Sequence, residues 1–180
     1  SRLIATNRPA APSSGAYTVP SAVKNRIIVD GNLADWNATG AETVRLTRGS
    51  VAARYRSNRM SPPSPDVLSA DLRCAADDDF LYLGVAVADD RLVFEGNSFG
   101  WLWERDCLEI LFYSDMKPKR AGQILVTLDS DGSLVIGGSD PITDRKYPYL
   151  WESLGVKAAL KKTPRGYIVE LAVPFSVLKW

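Results

Sequence analysis

No histidine occurs in the 180 residues. That absence removes the commonest general base and the commonest metal and haem ligand together. Ser-His-Asp and Cys-His centres, and His-based zinc sites, are therefore impossible within this chain. Cysteine is nearly absent too, with Cys74 and Cys107 alone. Both fall on segments read as strands of one sheet with another strand between them, which favours two free thiols over a disulfide. An excess of either charge is also lacking: 22 Lys and Arg balance 21 Asp and Glu. The basic residues are scattered, so no basic stripe points to nucleic acid. No apolar run approaches the ~18 residues of a membrane-spanning helix. Residues 1–15 lack the apolar core of a signal peptide. No long 3.6-residue period exists either, which leaves strands.

What is present reads as a tail followed by a β domain. Residues 1–25 form a flexible tail or linker, dominated by Pro9, Pro12, Ser13, Ser14, Gly15 and Pro20. The domain occupies residues 26–180. Its first expected element is Arg26–Val29, ended by Asp30-Gly31. A turn over Leu33–Trp36 then tucks Trp36 against the core. Pro62, Pro63 and Pro65 place a loop over 57–66, between two β-like segments. Leu72–Ala75 and Phe80–Val87 flank Asp77-Asp78-Asp79 and read as a hairpin. Further strands are expected over Asp106–Tyr113, Gln123–Leu128, Leu134–Ile136, Val156–Leu160 and Tyr167–Val173. Asp129-Ser130-Asp131-Gly132 and Thr163-Pro164-Arg165-Gly166 supply turns. Pro174 ends the last strand, and Phe175–Trp180 starts a helical turn. Short strands separated by turn signals predict an all-β, two-sheet, immunoglobulin-like or jelly-roll-like β-sandwich.

With the aliphatic halves of these strands inward, their other halves share one outer face if they share one sheet. That face carries Glu109, Gln123, Thr127, Glu170, Tyr82, Gly84 and Ala86. A glycine inside a strand marks close approach by a ligand or another backbone. Glu and Gln suit hydroxyl pairs, and Trp101, Trp103 and Trp151 are candidate plates for the C–H face of a sugar. The plainer readings are a core lid for each tryptophan, a solvated position for Glu170 and turn chemistry for Asp77–Asp79. Asp89 and Asp90, joined by Asp30 or Asp106, offer oxygen ligands for calcium, without EF-hand spacing.

Four blocks then resemble family-9 carbohydrate-binding modules. Asp30-Gly31-Asn32-Leu33-Ala34-Asp35-Trp36 resembles that family's opening I-D-G-x-L-x-E-W. Asp77–Asp90 (DDDFLYLGVAVADD) resembles D-D-x-x-L-Y-x-x-V-x-V-x-D-D. Trp103–Ile110 resembles W-x-x-D-x-V-E-I, and Gly166–Leu178 resembles G-Y-x-x-E-x-A-I-P-x-x-x-L. The blocks run in family order from Asp30 to Leu178. The wider group also includes haem-binding relatives. The resemblance implies a two-sheet β-sandwich that clamps terminal sugars between two tryptophans, with bound calcium. It makes Trp103 one plate and Glu109 a hydroxyl acceptor, and it puts Gln123 on a strand of further polar contacts. Two departures stand out. Leu125 falls near an expected sugar-contacting arginine. The family pattern also continues into a final strand bearing the second tryptophan, whereas this sequence ends at Trp180. The resemblance thus implies a sandwich lacking its last strand, or one completed by a partner chain or domain.

The function expected is a non-catalytic carbohydrate-binding module, an accessory domain of a larger secreted or cell-surface protein, extracellular or periplasmic. Its partner would be a polysaccharide or oligosaccharide. Three alternatives come from other classes. One is a structural or interaction sandwich that takes a strand from a partner. Another is a haem domain ligated by Met60 or Met116, with Lys117 in place of histidine. The last is a glycoside hydrolase using Glu109 and Glu170 as acid and base.

Overall fold

The computed structural model describes residues 19–21, 26–46, 68–94, 102, 105–113, 121–139 and 151–178. Met60, Trp101, Trp103, Met116 and Lys117 lie outside the described residues. The described residues form eight strands, β1 (Val44–Leu46), β2 (Ser69–Ala76), β3 (Phe80–Ala88), β4 (Leu108–Tyr113), β5 (Ala121–Leu128), β6 (Leu134–Ser139), β7 (Lys157–Thr163) and β8 (Gly166–Pro174). A four-residue helix, α1 (Phe175–Leu178), follows β8, and 3-10 turns occupy Asp35–Ala38 and Trp151–Leu154.

Antiparallel pairing builds two sheets, one of five strands in the order β1-β2-β3-β8-β7 and one of three in the order β4-β5-β6. Period-2 alternation decides which side chains meet between them. Val85 and Val87 of β3 and Val169, Leu171 and Val173 of β8 face Ile124, Val126 and Ile136 of the smaller sheet in one buried core. This is the all-β sandwich that the strand pattern predicts.

A second, smaller core lies on the opposite side of the large sheet. Ile27, Trp36, Ala75, Tyr82 and Ala172 are buried together there. Arg26–Val29 is not a strand; it crosses this face as irregular chain with Ile27 inserted. Pro20 and Ser21, in the segment read as a tail, also touch the sheet. The Ala76 N–H donates to the Pro20 carbonyl at 3.0 Å, and Ser21 makes an isolated parallel bridge to Ala76.

Gly84 shows why the second core forms. A Cβ on it would lie 2.8 Å from Trp36 Cε2 and 2.9 Å from Leu33 Cδ2. The indole rests on the bare backbone of β3. Gly84→Ala is expected to cost ~1–3 kcal/mol by overpacking. A lowered urea midpoint with an unchanged m-value would check this.

The cysteines do not share a sheet. Cys74 is on β2 of the large sheet, while Cys107 leads into β4 of the small one, and neither is in a disulfide. Burial pushes the Cys74 thiol up to about 11, which makes it a poor nucleophile.

Candidate functional site

The expected single polar face is in fact two faces, on different sheets. Glu109 sits on β4, and Gln123 and Thr127 on β5, all in the three-stranded sheet. Tyr82, Gly84 and Ala86 on β3, and Glu170 on β8, belong to the five-stranded sheet. Alternation fixes the two faces of one strand, but it does not say which sheet the strand joins.

On the large sheet, the chain itself fills the outer face. Glu170 pairs in register with Gly84 and is fully buried rather than solvated. Its Oε2 accepts the backbone N–H groups of Asp30 (3.0 Å), Gly31 (2.6 Å) and Asn32 (3.0 Å). Its Oε1 accepts the Trp36 indole N–H at 2.7 Å. The D-G-N turn and the tryptophan are thus latched to β8 by one carboxylate. Gly31 makes the turn possible with φ of 81°.

Burial pushes the Glu170 carboxyl above its ordinary range, and the four donated hydrogen bonds only partly oppose this. A raised native pKa means that the native state holds its proton longer than the unfolded chain. Glu170's own contribution is then greatest below the ordinary glutamate value of about 4.3 and declines as pH rises through the native value. The stability of the wild type relative to Glu170→Gln should fall over that window, measured by urea unfolding across pH.

On the small sheet, β4 and β5 pair with Glu109 opposite Leu125 and Leu111 opposite Gln123. Leu108, Ile110 and Phe112 turn toward the core, which leaves Glu109 and Leu111 outward. Gln123 Nε2 donates to Glu109 Oε1 at 2.6 Å. That bond fixes the direction of the carboxylate and of the amide together. Beside this pair, Leu111 is 46% exposed while Leu125 is fully buried. Thr127 is buried and used internally, its hydroxyl donating to the Asp106 carbonyl at 2.7 Å.

Trp151 starts a 3-10 turn and is 1% exposed. Its indole N–H donates to the Gln123 carbonyl at 3.2 Å, and its ring meets Phe112 edge-on at 6.1 Å. It backs β5 from the core side and has no exposed face for a sugar here. Trp101 and Trp103 belong to the segment between Val93 and Asp106. The base of that segment is clamped in both directions. Asp106 Oδ2 accepts the Val93 N–H at 2.5 Å, and the Asp106 N–H donates to the Val93 carbonyl at 2.9 Å. Arg105, 2% exposed, anchors the same end by donating to the Leu128 carbonyl and to Asp129 Oδ1. Nothing in the periodicity marks Arg105; a basic residue beside a motif aspartate is the only signal.

The four aspartates considered for calcium do not assemble. Asp30 stands at the latch on the outer face of the large sheet, with its Oδ1 accepting the Asn32 N–H. Asp89 follows β3, beyond the Ala88–Gly166 pair, four register steps from the Gly84–Glu170 pair under the latch. Asp90 is exposed. Asp89 and Asp106 are both buried, and both raise the neighbouring Tyr167 hydroxyl, after burial itself. Asp89 Oδ1 accepts the Arg91 N–H, while its Oδ2 is buried without a hydrogen-bond partner. Among the described residues, no group of three or more His, Cys, Asp and Glu side chains could hold a metal ion.

The sequence profile of the carbohydrate family 9 binding domain-like family matches residues 38–180. The chain belongs to this family. No curated protein matches the sequence significantly. Two similar solved structures are family 9 modules from Caldicellulosiruptor kristjanssonii. One, in complex with cellotriose, has 18% identity and a TM-score of 0.50 over 87% of this chain and 65% of that one. The other, in complex with glucose, has 17% identity and a TM-score of 0.52 over 88% and 68%. At that identity the likeness is one of fold. This chain spans about two thirds of the length of those domains.

Within the family 9 domain, the four motif blocks divide into two kinds. The D-G-N-L-A-D-W and G-Y-I-V-E blocks build the latch, and Gly84 of the Asp77–Asp90 block lies beneath its tryptophan. The W-E-R-D-C-L-E block carries the clamp and the outward Glu109. Glu109 and Glu170 lie on different sheets and Glu170 is buried in the latch, so they do not form the acid and base pair of a hydrolase.

Proposed function

We propose that this family 9 domain is a non-catalytic sugar-binding module whose site is the outer face of β4 and β5. The observation that carries the reading is the 2.6 Å hydrogen bond between Gln123 and Glu109 on that face. The other outer face is already filled by Trp36 and its turn. The cellotriose and glucose complexes of the C. kristjanssonii modules support a glycan ligand. Trp103, on the same motif as Glu109, is the plate in this reading. We place the domain as an accessory part of a larger secreted or cell-surface protein of carbohydrate catabolism. A single module binds weakly, because few contacts must offset the entropy of fixing the sugar. Calorimetric titration with cellobiose, xylobiose and a polysaccharide panel tests the reading. Heat that disappears in Trp103→Ala supports it, and no heat from the folded domain refutes it.

Calcium enters this reading as a structural ion beside Asp89. The support is the buried, unpartnered Asp89 Oδ2. A cation that binds only the native state raises its stability. Calcium should therefore raise the melting temperature by a few degrees over a chelator control, and Asp89→Asn should abolish the difference.

A second reading, completion of the smaller sheet by a partner strand, draws on one observation. An apolar groove of about 380 Å³ runs between the sheets, lined by Leu81, Leu83, Ile110, Phe112, Val173 and Leu178 among others. Among the described residues β4 is an edge strand, and its only charge is Glu109. Edge strand β7, by contrast, is guarded by Lys157, Lys161 and Lys162. Light scattering checks this: a dimer favours strand sharing, and a monomer counts against it.

A further inference from the structure

Trp151 is 1% exposed, yet it is bonded to the backbone of a residue on the outer face of β5. Its indole N–H donates to the Gln123 carbonyl at 3.2 Å, from within the core. Peptide groups are planar, so only φ and ψ set the direction in which a strand residue projects its side chain. Holding the Gln123 carbonyl fixes the peptide that follows Gln123, and with it ψ. The peptide that precedes Gln123 belongs to Gly122, which has no side chain of its own to pack. Phe112 is directly opposite Gly122, and its ring lies where a Cβ of residue 122 would be. Phe112 in turn meets the Trp151 ring edge-on. Two aromatic side chains thus brace both peptides of Gln123.

Bare backbone on β6 completes the brace. Gly138 pairs with Ile124 and has φ of 142°, a conformation that favours glycine. A Cβ there would strike the Gln123 carbonyl and stand 2.9 Å from Trp151 Nε1. Glycine at 138 is therefore what lets the indole reach the carbonyl. Trp151 is itself held by its 3-10 turn, where the Val156 N–H donates to the Trp151 carbonyl at 3.3 Å just before β7. On the other side of β5, Gln123 Nε2 donates to Glu109 Oε1. A continuous chain of contacts thus runs from the Trp151 turn, through the Gln123 backbone, to the Glu109 carboxylate.

We propose that Trp151 is a positioning residue for the sugar site: through the Gln123 peptide it aims the Gln123 amide, and with it the Glu109 carboxylate that the amide holds. This rests on the reading that the outer face of β4 and β5 binds sugar. Loss of the one indole hydrogen bond should weaken binding about three- to tenfold. That loss depends on Gln123 having an amide to aim, which a purely structural role for Trp151 would not require.

A double-mutant cycle on the 180-residue chain separates the two roles, with cellobiose or xylobiose as the NMR-titrated probe. Trp151→Phe keeps an aromatic ring against Phe112 and removes the donor. It should show the weakening given above when Gln123 is present. In a Gln123→Ala background the same substitution should change affinity by less than about twofold. Wild-type affinity in Trp151→Phe, or an equal loss in both backgrounds, overturns the inference and leaves the sugar-binding reading intact. The wild type supplies a second measurement that needs no variant to fold. Its Trp151 indole N–H resonance should shift with sugar at the same Kd as the Gln123 side-chain amide, and an indole resonance unmoved at saturation overturns the inference too. Binding of neither disaccharide nor any polysaccharide, by a domain whose melting is cooperative, overturns both the inference and the reading beneath it.

Discussion

Replacing Glu170 with alanine is expected to destabilise the domain by about 3–5 kcal/mol, enough to threaten folding. The magnitude follows from the donors left behind. One carboxylate satisfies three backbone N–H groups and the Trp36 indole. Each buried donor stripped of its partner costs about 1–3 kcal/mol, reduced where water can enter. Asp30 and Asn32 are exposed and recover part of that cost from solvent, whereas Gly31 and Trp36 are buried and do not. Trp36 would also lose its tether over Gly84 and loosen the second core. Urea unfolding measures the loss, and Trp36 fluorescence should report local release of the latch. A loss below about 1 kcal/mol would mean that water replaces the carboxylate freely and that no latch exists.

The second large effect concerns Glu109, where the expected loss is of binding and not of stability. Glu109→Ala removes a partly exposed carboxylate and leaves the Gln123 amide free to turn toward solvent. Stability should change by under about 1 kcal/mol, as for other accessible polar side chains. Affinity for a bound sugar should fall at least about tenfold. Hydrogen bonds to a charged group contribute about 1.5–3 kcal/mol, and Gln123 would lose its fixed direction as well. The two glutamates thus make opposite variants. Glu170→Ala should fail in denaturant, and Glu109→Ala should fail in titration. A Glu109→Ala domain that unfolds early would instead make Glu109 a structural residue.

The contrast between these residues also marks how much the sequence tells. The alternation of Leu81, Leu83, Val85 and Val87, and of Tyr167, Val169, Leu171 and Val173, places the core of the large sheet correctly. The β2–β3 hairpin, the late β7–β8 hairpin and the burial of Trp36 also follow from turn chemistry and pattern. Assignment of strands to sheets does not, because pairing of β3 with β8 spans about half of the chain and leaves no local mark. Hence Glu109 and Glu170 look alike in the sequence, and Gly84 reads as a floor for a ligand when it is the floor for Trp36. The sequence leaves Trp151 open between a sugar plate and a core lid. Its burial depends on Phe112 and on the Gln123 carbonyl, which only the fold brings near. β1 is three residues long with two of them exposed, too little for any period to show.

The central claim is that the ligand meets the outer face of β4 and β5, with the opposite face closed by the latch. Backbone NMR of the labelled domain, titrated with cellobiose or xylobiose, tests that claim most directly. The account predicts shifts centred on Glu109, Leu111, Gln123 and Leu125, with Gly31, Trp36 and Glu170 unmoved. Shifts centred on Gly31, Trp36 and Gly84 would contradict it, because they would place the sugar where the structure places the protein's own tryptophan.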